Sequence, residues 1–160
     1  RSGRHQRRCK MEEGIRDVSG FQTLCREALR LKEMDPGTYS PLALAYIGDA
    51  VYELIVRTMV ISHGSIQVNK MHKKSASLVN AGTQAEMIRL MMEELTEEET
   101  AVYKRGRNAK SVTTAKHATV VDYRTATGFE ALCGYLYLMG RLERLVTLIS
   151  HGFEKIGELE

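Results

Sequence analysis

Several features are scarce or missing in this sequence. Its 160 residues include only three cysteines, Cys9, Cys25 and Cys133, with no C-x-x-C pair among them. This scarcity argues against both a disulfide framework and a zinc site, and it favours a reducing, cytoplasmic environment. No apolar run approaches the roughly 18 residues of a membrane helix, and no secretory signal is recognisable. We therefore expect no membrane partner.

Strand signals are missing as well. The β-branched residues occur in short groups flanked by helix formers, and no internal repeat or low-complexity tract is present. Apolar residues make up 43% and charged residues 27% of the chain, which is typical of a globular protein with its own core. We predict an all-α fold.

The predicted domain organisation has three parts. Residues 1–10 carry five Arg or Lys and no aliphatic residue. We interpret them as a tag or disordered tail, which would make Met11 the natural start; a basic arm that contacts nucleic acid is the alternative. Residues 11–39 are expected to form an N-terminal extension with one helix, ended by a turn at Asp35-Pro36-Gly37. Residues 40–158 are expected to form the main helical domain.

The first helix of that domain has clear start signals. Ser40 as the cap and Pro41 as the first helical residue predict a helix that runs to about Ser62. Asp49 falls opposite the broad apolar face, among further apolar residues, so this helix is expected to be buried nearly all round. The residues assigned to the broad face are Leu44, Ile47, Val51, Leu54 and Ile55.

The remaining helices are bounded by capping patterns and glycines. From Asn69 to Leu95 we expect one long helix or two end to end, with a capping box at Thr83 to Glu86. A second capping box, Thr96 to Glu99, predicts a helix that ends at Gly106. Two further helices are predicted, at about Thr125 to Met139 and Arg141 to Ile156.

Asp49 and Glu130 are each the only charge in a long apolar helical run. The two runs are PLALAYIGDAVY and FEALCGYLYL. A carboxylate on a mostly buried helix must find a partner, stay protonated, or cost several kcal/mol in desolvation. A divalent cation such as Mg²⁺, shared by both acids, would be the most economical partner. Pairing of each acid with a nearby Arg or Lys is the alternative.

A basic segment follows a short acidic one. Five acids lie between Glu93 and Glu99, whereas residues 100–121 contain none. On a chain with a net charge of only +3, such a patch indicates a polyanionic partner at one surface. A solvated loop that happens to be basic is the alternative. The basic residues of the segment are Lys104, Arg105, Arg107, Lys110, Lys116 and His117.

Four motifs in register resemble the ribonuclease III family. YIGDAVYE, which contains Asp49, resembles the signature helix of the family, and FEALCGYLYL, which contains Glu130, resembles its second acidic helix. KSASLVN and KRGRNAKS match family landmarks between them. The resemblance covers residues 40–158 and implies a ribonuclease III endonuclease-domain-like helical fold. The resemblance is strongest to short members that lack a separate double-stranded-RNA-binding domain. The 30 residues after Glu130 are too few to form such a domain.

The resemblance also implies a function. It implies a homodimeric, Mg²⁺-dependent endoribonuclease that cleaves double-stranded RNA, leaves 5′-phosphate ends and matures the precursor of large-subunit (23S) ribosomal RNA. Asp49 and Glu130 would be its catalytic and metal-binding residues. A ribosomal protein could assist on the substrate. The expected RNA-binding residues are Lys104, Arg105, Arg107, Lys110 and Lys116 through phosphate contacts, with neutral hydrogen bonds from Asn108 and Ser111.

The sequence also departs from the family pattern. Larger members carry a glutamate where this chain has Ala45 and an aspartate where it has Thr127. We therefore expect fewer direct protein–metal contacts, and the number of metal ions stays open. A non-catalytic RNA-binding or ribosome-associated protein with the same fold is the alternative function, and a helical dimerisation module is another. Glu53 could support the metal or pair with Arg57.

Overall fold

The computed structural model describes residues 20–64, 67–110 and 119–159, which fall into two compact units divided between Thr38 and Tyr39. In the first unit a helix, α1, covers residues 20–28. A short 3-10 turn follows at Pro36–Thr38, where the Asp35 carboxylate accepts a hydrogen bond from the Gly37 amide at 3.0 Å. The turn expected here is therefore confirmed. The predicted tail, residues 1–10, lies outside the described residues.

The described residues of the second unit form six α-helices, and no described residue lies in a strand. The predicted all-α fold is therefore confirmed. None of the described helices combines the length and apolar character that crossing a membrane requires. The six helices are α2 (Pro41–Ser62), α3 (Val68–Val79), α4 (Ala81–Met91), α5 (Glu97–Asn108), α6 (Val120–Leu138) and α7 (Leu142–Lys155).

Helix α6 is the centre of this unit. It packs against α2, α5, α4 and α7, and its contact with α2 is the most extensive between any two described helices. Phe129 on α6 meets the ring of Tyr52 on α2 edge-on, with centroids 5.3 Å apart. The Tyr52 hydroxyl, which is buried, donates to the Leu78 carbonyl on α3 at 2.6 Å. Tyr52 thus joins three helices while its own polar group stays satisfied.

The predicted caps are partly right. Ser40 caps α2 by accepting from the Ala43 amide at 3.1 Å, and Thr96 and Glu99 form the expected capping box of α5. The predicted box at Thr83 to Glu86 is wrong. Asn80 instead ends α3 and caps α4, because its side-chain oxygen accepts from the Thr83 amide at 2.9 Å.

Two predicted helix ends also need correction. Gly106 does not end α5, which continues to Asn108. A Cβ on Gly106 would lie 2.7 Å from the Ala131 Cβ, so this glycine serves the close packing of α5 on α6. Helix α6 begins at Val120 instead of Thr125, because Thr119 caps it by accepting from the Asp122 amide at 3.1 Å.

The predicted environment of α2 is wrong on one side. The core lies against the face that carries Leu44, Gly48, Tyr52 and Val56, whereas Leu54, assigned to the broad apolar face, is 67% exposed. The helix is therefore not buried all round. The helical wheel identified the apolar positions, but it could not show that α6 covers only part of them.

Candidate active site

Two glycines bring α2 and α6 together at the candidate site. A Cβ added to Gly48 on α2 would overlap the carbonyl oxygen of Glu130 on α6. A Cβ added to Gly134 on α6 would overlap the carbonyl oxygen of Leu44 on α2. Each backbone therefore occupies the space that a side chain on the other helix would need. The crossing point lies beside Asp49 and Glu130, which are next to these glycines in sequence or one turn away.

The carboxyl groups of Asp49 and Glu130 meet at this crossing. Glu130 is mostly buried and is hydrogen-bonded to Asp49, whereas Asp49 is exposed and not buried as expected. Burial, and next the charge and hydrogen bond of Asp49, raise the pKa of Glu130 to about 8. Near neutral pH the folded protein therefore keeps a proton on Glu130, beside Asp49.

No positive charge compensates this pair within the described part of the chain. Neither acid forms an ion pair with a described Lys, Arg or His, so the alternative of local pairing is not what these residues adopt. The nearby Tyr52 and Cys133 also stay neutral, because burial raises the pKa of each and the charge of Glu130 raises it further. The pair therefore lies in surroundings that oppose a second negative charge.

Among the described residues, no group of three or more acidic, Cys or His side chains is arranged to hold a metal ion. Ala45 is buried on the core face of α2. The Thr127 hydroxyl donates to the Tyr123 carbonyl at 2.9 Å, within its own helix. The two positions that carry acids in larger family members thus hold one methyl group and one hydroxyl bonded to backbone.

Glu53 is one turn beyond Asp49 and has a partner of its own. Arg57 donates to it through Nη2 at 2.6 Å and Nε at 3.1 Å. The expected ion pair is therefore confirmed. It occupies the Glu53 carboxylate, which could otherwise have supported a metal ion at Asp49 and Glu130.

The end of α5 packs against the part of α6 that contains Glu130. Gly106 packs against α6 on either side of Glu130. A Cβ added to Gly106 would lie 2.9 Å from the Gly128 Cα. Lys104 and Arg105, which precede Gly106 in sequence, are exposed. Arg107 lies over the Tyr103 ring, 5.6 Å from its centroid. The carboxyl pair and the basic helix end therefore share one region of α6.

These basic residues differ from four arginines elsewhere in the domain, which are paired with acids. Lys104, Arg105, Arg107 and Lys110 form no ion pair with any acid that the structure describes. The Arg107 Nε donates to the Asn108 side chain at 3.3 Å, which involves no charge on the acceptor. The remaining predicted RNA-binding residues, Ser111 and Lys116, lie outside the described residues, as does His117. The paired arginines are Arg57 with Glu53, Arg89 with Asp122, Arg141 with Glu98, and Arg144 with Glu99.

The fold and the site together define an all-α protein with paired carboxyls beside a basic surface. Comparison with known families shows to which class of proteins it belongs. Residues 42–141 match the family model described as Ribonuclease III domain. The chain belongs to the ribonuclease III family. It is accordingly an endoribonuclease, which favours the enzyme over the non-catalytic alternative.

Individual relatives make the assignment narrower. A Mini-ribonuclease 3 from Clostridium tetani is 48% identical over 134 residues, covering 81% of this chain and 85% of that protein. One from Enterococcus faecalis is 50% identical over 119 residues, covering 73% and 90%. A crystal structure of a Fusobacterium nucleatum protein matches with a TM-score of 0.68 at 32% identity, covering 76% of this chain and 96% of that one. The expected resemblance to the short, Mini-ribonuclease members is confirmed.

The sequence interpretation missed the glycines that make the pair possible. Gly48 directly precedes Asp49, and Gly134 follows Glu130 by one turn. A glycine in the middle of a helix costs up to about 1 kcal/mol relative to alanine, so its presence next to each lone acid was a usable signal. Such a glycine indicates close approach of another backbone.

Proposed function

We propose that this endoribonuclease uses Mg²⁺ at Asp49 and Glu130 to hydrolyse phosphodiester bonds of double-stranded RNA, leaving 5′-phosphate ends. The observation that carries the proposal is the pair of carboxyl groups that meet at the α2–α6 crossing, with no described cationic side chain to neutralise them. A divalent cation would take that place, because both carboxylates could then ionise together.

The donor set fits a hard divalent cation. Asp49 and Glu130 offer carboxylate oxygens, the ligands that Mg²⁺ prefers, and Mg²⁺ usually keeps several waters when only one or two carboxylates bind it. When bound, such an ion supplies Lewis acidity that activates water and offsets charge on the phosphate. The buried alanine at position 45 and the backbone-bonded Thr127 hydroxyl support a site with few protein ligands.

The two acids have different environments and so different tasks. Asp49 is exposed and can face the RNA backbone, whereas Glu130 is mostly buried and holds its proton until a cation displaces it. Cation binding at neutral pH therefore requires Glu130 to release a proton. The buried Tyr52, Phe129 and Cys133 exclude water from the side of the site that faces the core.

The RNA would bind along the basic end of α5. Lys104, Arg105, Arg107 and Lys110 have no described acidic partner, so their charges are available to phosphates. Duplex RNA is recognised mostly by shape, 2′-hydroxyls and backbone, which suits such a surface. Ser111 and Lys116 follow directly in sequence and belong to the same proposal.

A homodimer would supply two cutting centres, one for each strand of the duplex. Tyr46, Leu54 and Ile61 lie on one face of α2 and are 83%, 67% and 66% exposed. An apolar stripe on the helix that carries Asp49 is a surface that a second copy would cover, with the same residues of each copy facing each other. Tyr46 is thus excluded from the core of its own protomer.

The proposed biological substrate is the precursor of 23S ribosomal RNA in the cytoplasm, assisted by a ribosomal protein. This part rests on the family resemblance. A catalytic domain gains from a helper that presents the duplex to it.

Cleavage of a long duplex RNA tests the proposal. Wild-type protein should produce fragments in Mg²⁺ and none with excess chelator. Asp49→Asn and Glu130→Gln should reduce the cleavage rate by at least about a hundredfold, because each removes one of two ligand carboxylates. Their affinity for RNA without metal should stay within about threefold, since phosphate contacts supply most of it.

Glu53→Gln is the matched control, since it neutralises an acid one turn from Asp49 that is already paired with Arg57. It should keep cleavage near the wild-type rate, and circular dichroism should show all four proteins equally helical. RNA left intact by wild-type protein in every divalent metal, or full cleavage by the two site variants, would contradict the proposed function.

A further inference from the structure

The spacing between α2 and α6 is fixed by backbone, not by side chains. At Gly48 an added Cβ would overlap the Glu130 carbonyl oxygen and lie 2.7 Å from the Gly134 amide nitrogen. At Gly134 an added Cβ would overlap the Leu44 carbonyl oxygen. The obstacles are main-chain atoms of a regular helix, which cannot rotate away as a side-chain end can.

The arrangement is reciprocal and centred on the two acids. Gly48 fits against the backbone of the residue that supplies one carboxyl, and it directly precedes the residue that supplies the other. Helices normally pack with axes roughly 8–10 Å apart, and glycines at the contact allow a shorter distance. An alanine at either position would have to push the helices apart by on the order of 1 Å to restore an ordinary carbon–oxygen contact.

Another glycine contact in the same domain is of a different kind. A Cβ on Gly152 of α7 would lie 2.7 Å from the Met87 Cε and 3.1 Å from the Met91 Sδ, both on α4. Those atoms belong to flexible side chains that can move. The contact also lies away from the α2–α6 crossing, so Gly152 offers a buried glycine without the proposed role.

We propose that Gly48 and Gly134 are positioning residues that set the separation of the Asp49 and Glu130 carboxylates to the size of Mg²⁺. The proposal rests on the proposed function, since it requires a cation at this pair. Mg²⁺ demands oxygen ligands at about 2.0–2.1 Å in near-ideal geometry, whereas Ca²⁺ accepts about 2.3–2.6 Å and variable geometry. A wider crossing should therefore weaken Mg²⁺ binding more than Ca²⁺ binding.

Metal competition on the full-length chain tests this inference. Mn²⁺ binding is followed by the electron paramagnetic resonance signal of free Mn²⁺, and Mg²⁺ or Ca²⁺ is added to displace it. In Gly48→Ala and Gly134→Ala, Mg²⁺ affinity should fall by roughly tenfold to a hundredfold. Ca²⁺ affinity should change by no more than about threefold, so that the Ca²⁺-to-Mg²⁺ preference rises.

Gly152→Ala controls for reduced stability, since it should leave the Ca²⁺-to-Mg²⁺ preference unchanged even if the protein melts at a lower temperature. A longer acid provides a rescue: Asp49→Glu in the Gly134→Ala background should restore part of the Mg²⁺ affinity, although Asp49→Glu alone lowers it. An unchanged Ca²⁺-to-Mg²⁺ preference in both alanine variants would overturn the proposal. So would a double variant, Asp49→Glu with Gly134→Ala, whose loss of Mg²⁺ affinity is the sum of the two single losses.

If both alanine variants fail to fold, moving one methylene between the acids tests the same distance. The exchange Asp49→Glu with Glu130→Asp keeps the summed length of the two arms across an unaltered crossing. It should bind Mg²⁺ at least about fivefold more tightly than Asp49→Glu alone, and weaker binding would overturn the inference. If wild-type protein binds no divalent cation at all, the proposed function itself fails, which is a different outcome.

Discussion

The Glu130 carboxyl keeps its proton to higher pH than an ordinary glutamate, because burial and Asp49 both oppose its charge. This pKa has a consequence for stability. Below pH 4.5 the folded and unfolded chains both hold the proton, so the group contributes nothing that varies with pH. Between pH 4.5 and about 8 only the folded chain holds it, and stability falls as pH rises. Above about pH 8 the loss is complete.

Metal-free protein should therefore lose stability between about pH 5 and pH 8, by at most about 1.4 kcal/mol for each pH unit. Glu130→Gln keeps a neutral side chain of the same shape at every pH, so its melting temperature should lack this decline. Thermal unfolding in chelator, recorded across the range for both proteins, measures the difference. Parallel curves would show that Glu130 is ionised in the folded chain.

Single residues show what a sequence pattern can and cannot deliver. Asp49 and Glu130 could be singled out because each is a lone charge among apolar neighbours, and desolvation makes such a charge need a partner. The exposure of Asp49 could not be predicted. A helical wheel gives the direction of a side chain, but what lies in that direction depends on distant parts of the chain.

Among the helices, α5 has charges of opposite sign at its two ends, which its dipole favours. Glu99 at the start is buried and paired with Arg144 at 2.8 Å, whereas the basic end lacks a described acidic partner. The paired end holds α5 against α7, and the unpaired end is left for a ligand. Helix α5 thus connects the stability of the domain with the proposed RNA surface.

Removing the charges of Lys104 and Arg105 should therefore weaken RNA binding while stability is kept. The double alanine variant should bind duplex RNA less tightly, and the slope of log affinity against log salt should become shallower by about 1 for each phosphate that is no longer neutralised. Filter binding in chelator at several salt concentrations gives both values. Lys155→Ala, which removes an exposed charge at the end of α7, is the control. A slope equal to that of wild type would argue against this surface.

Helix boundaries were predictable where local chemistry decides them. Ser40, Pro41 and the Thr96–Glu99 box act within one turn, so the starts of α2 and α5 followed from sequence. Gly106 resembles a helix end in the sequence, but its role depends on a close approach to α6 that sequence does not reveal. The helix boundary at Asn80, between α3 and α4, was not predicted, because the nearby Thr83–Glu86 pattern also resembles a helix start.

At the scale of the whole molecule, the apolar face of α2 predicts self-association. Tyr46→Arg should raise the dimer dissociation constant by roughly thirtyfold or more, the value of a central contact worth about 2 kcal/mol. Sedimentation velocity over a range of concentrations measures it. Leu90→Arg on α4, where leucine is 46% exposed, is the control and should stay dimeric. A wild-type protein that is monomeric at every concentration, or a dimer unaffected by Tyr46→Arg, would refute this interface.

The architecture of the domain lay partly within reach of the sequence. Its all-α character followed from periodicity and caps, and the order of four motifs indicated the family fold. The central position of α6 did not follow, because its nearly uniform apolar surface gives no preferred side. Which helices surround it is decided by packing between distant parts of the chain, and this leaves little trace in local pattern.

A calorimetric titration with Mg²⁺ at neutral pH tests the central claim most directly. Repeating it in buffers of different ionisation enthalpy counts the protons released on binding. Near neutral pH Glu130 keeps a proton that a cation should displace, so wild-type protein should bind Mg²⁺ with release of close to one proton. Asp49→Asn and Glu130→Gln should both abolish that binding. Mg²⁺ binding without proton release, or binding unaltered in the two variants, would contradict the account.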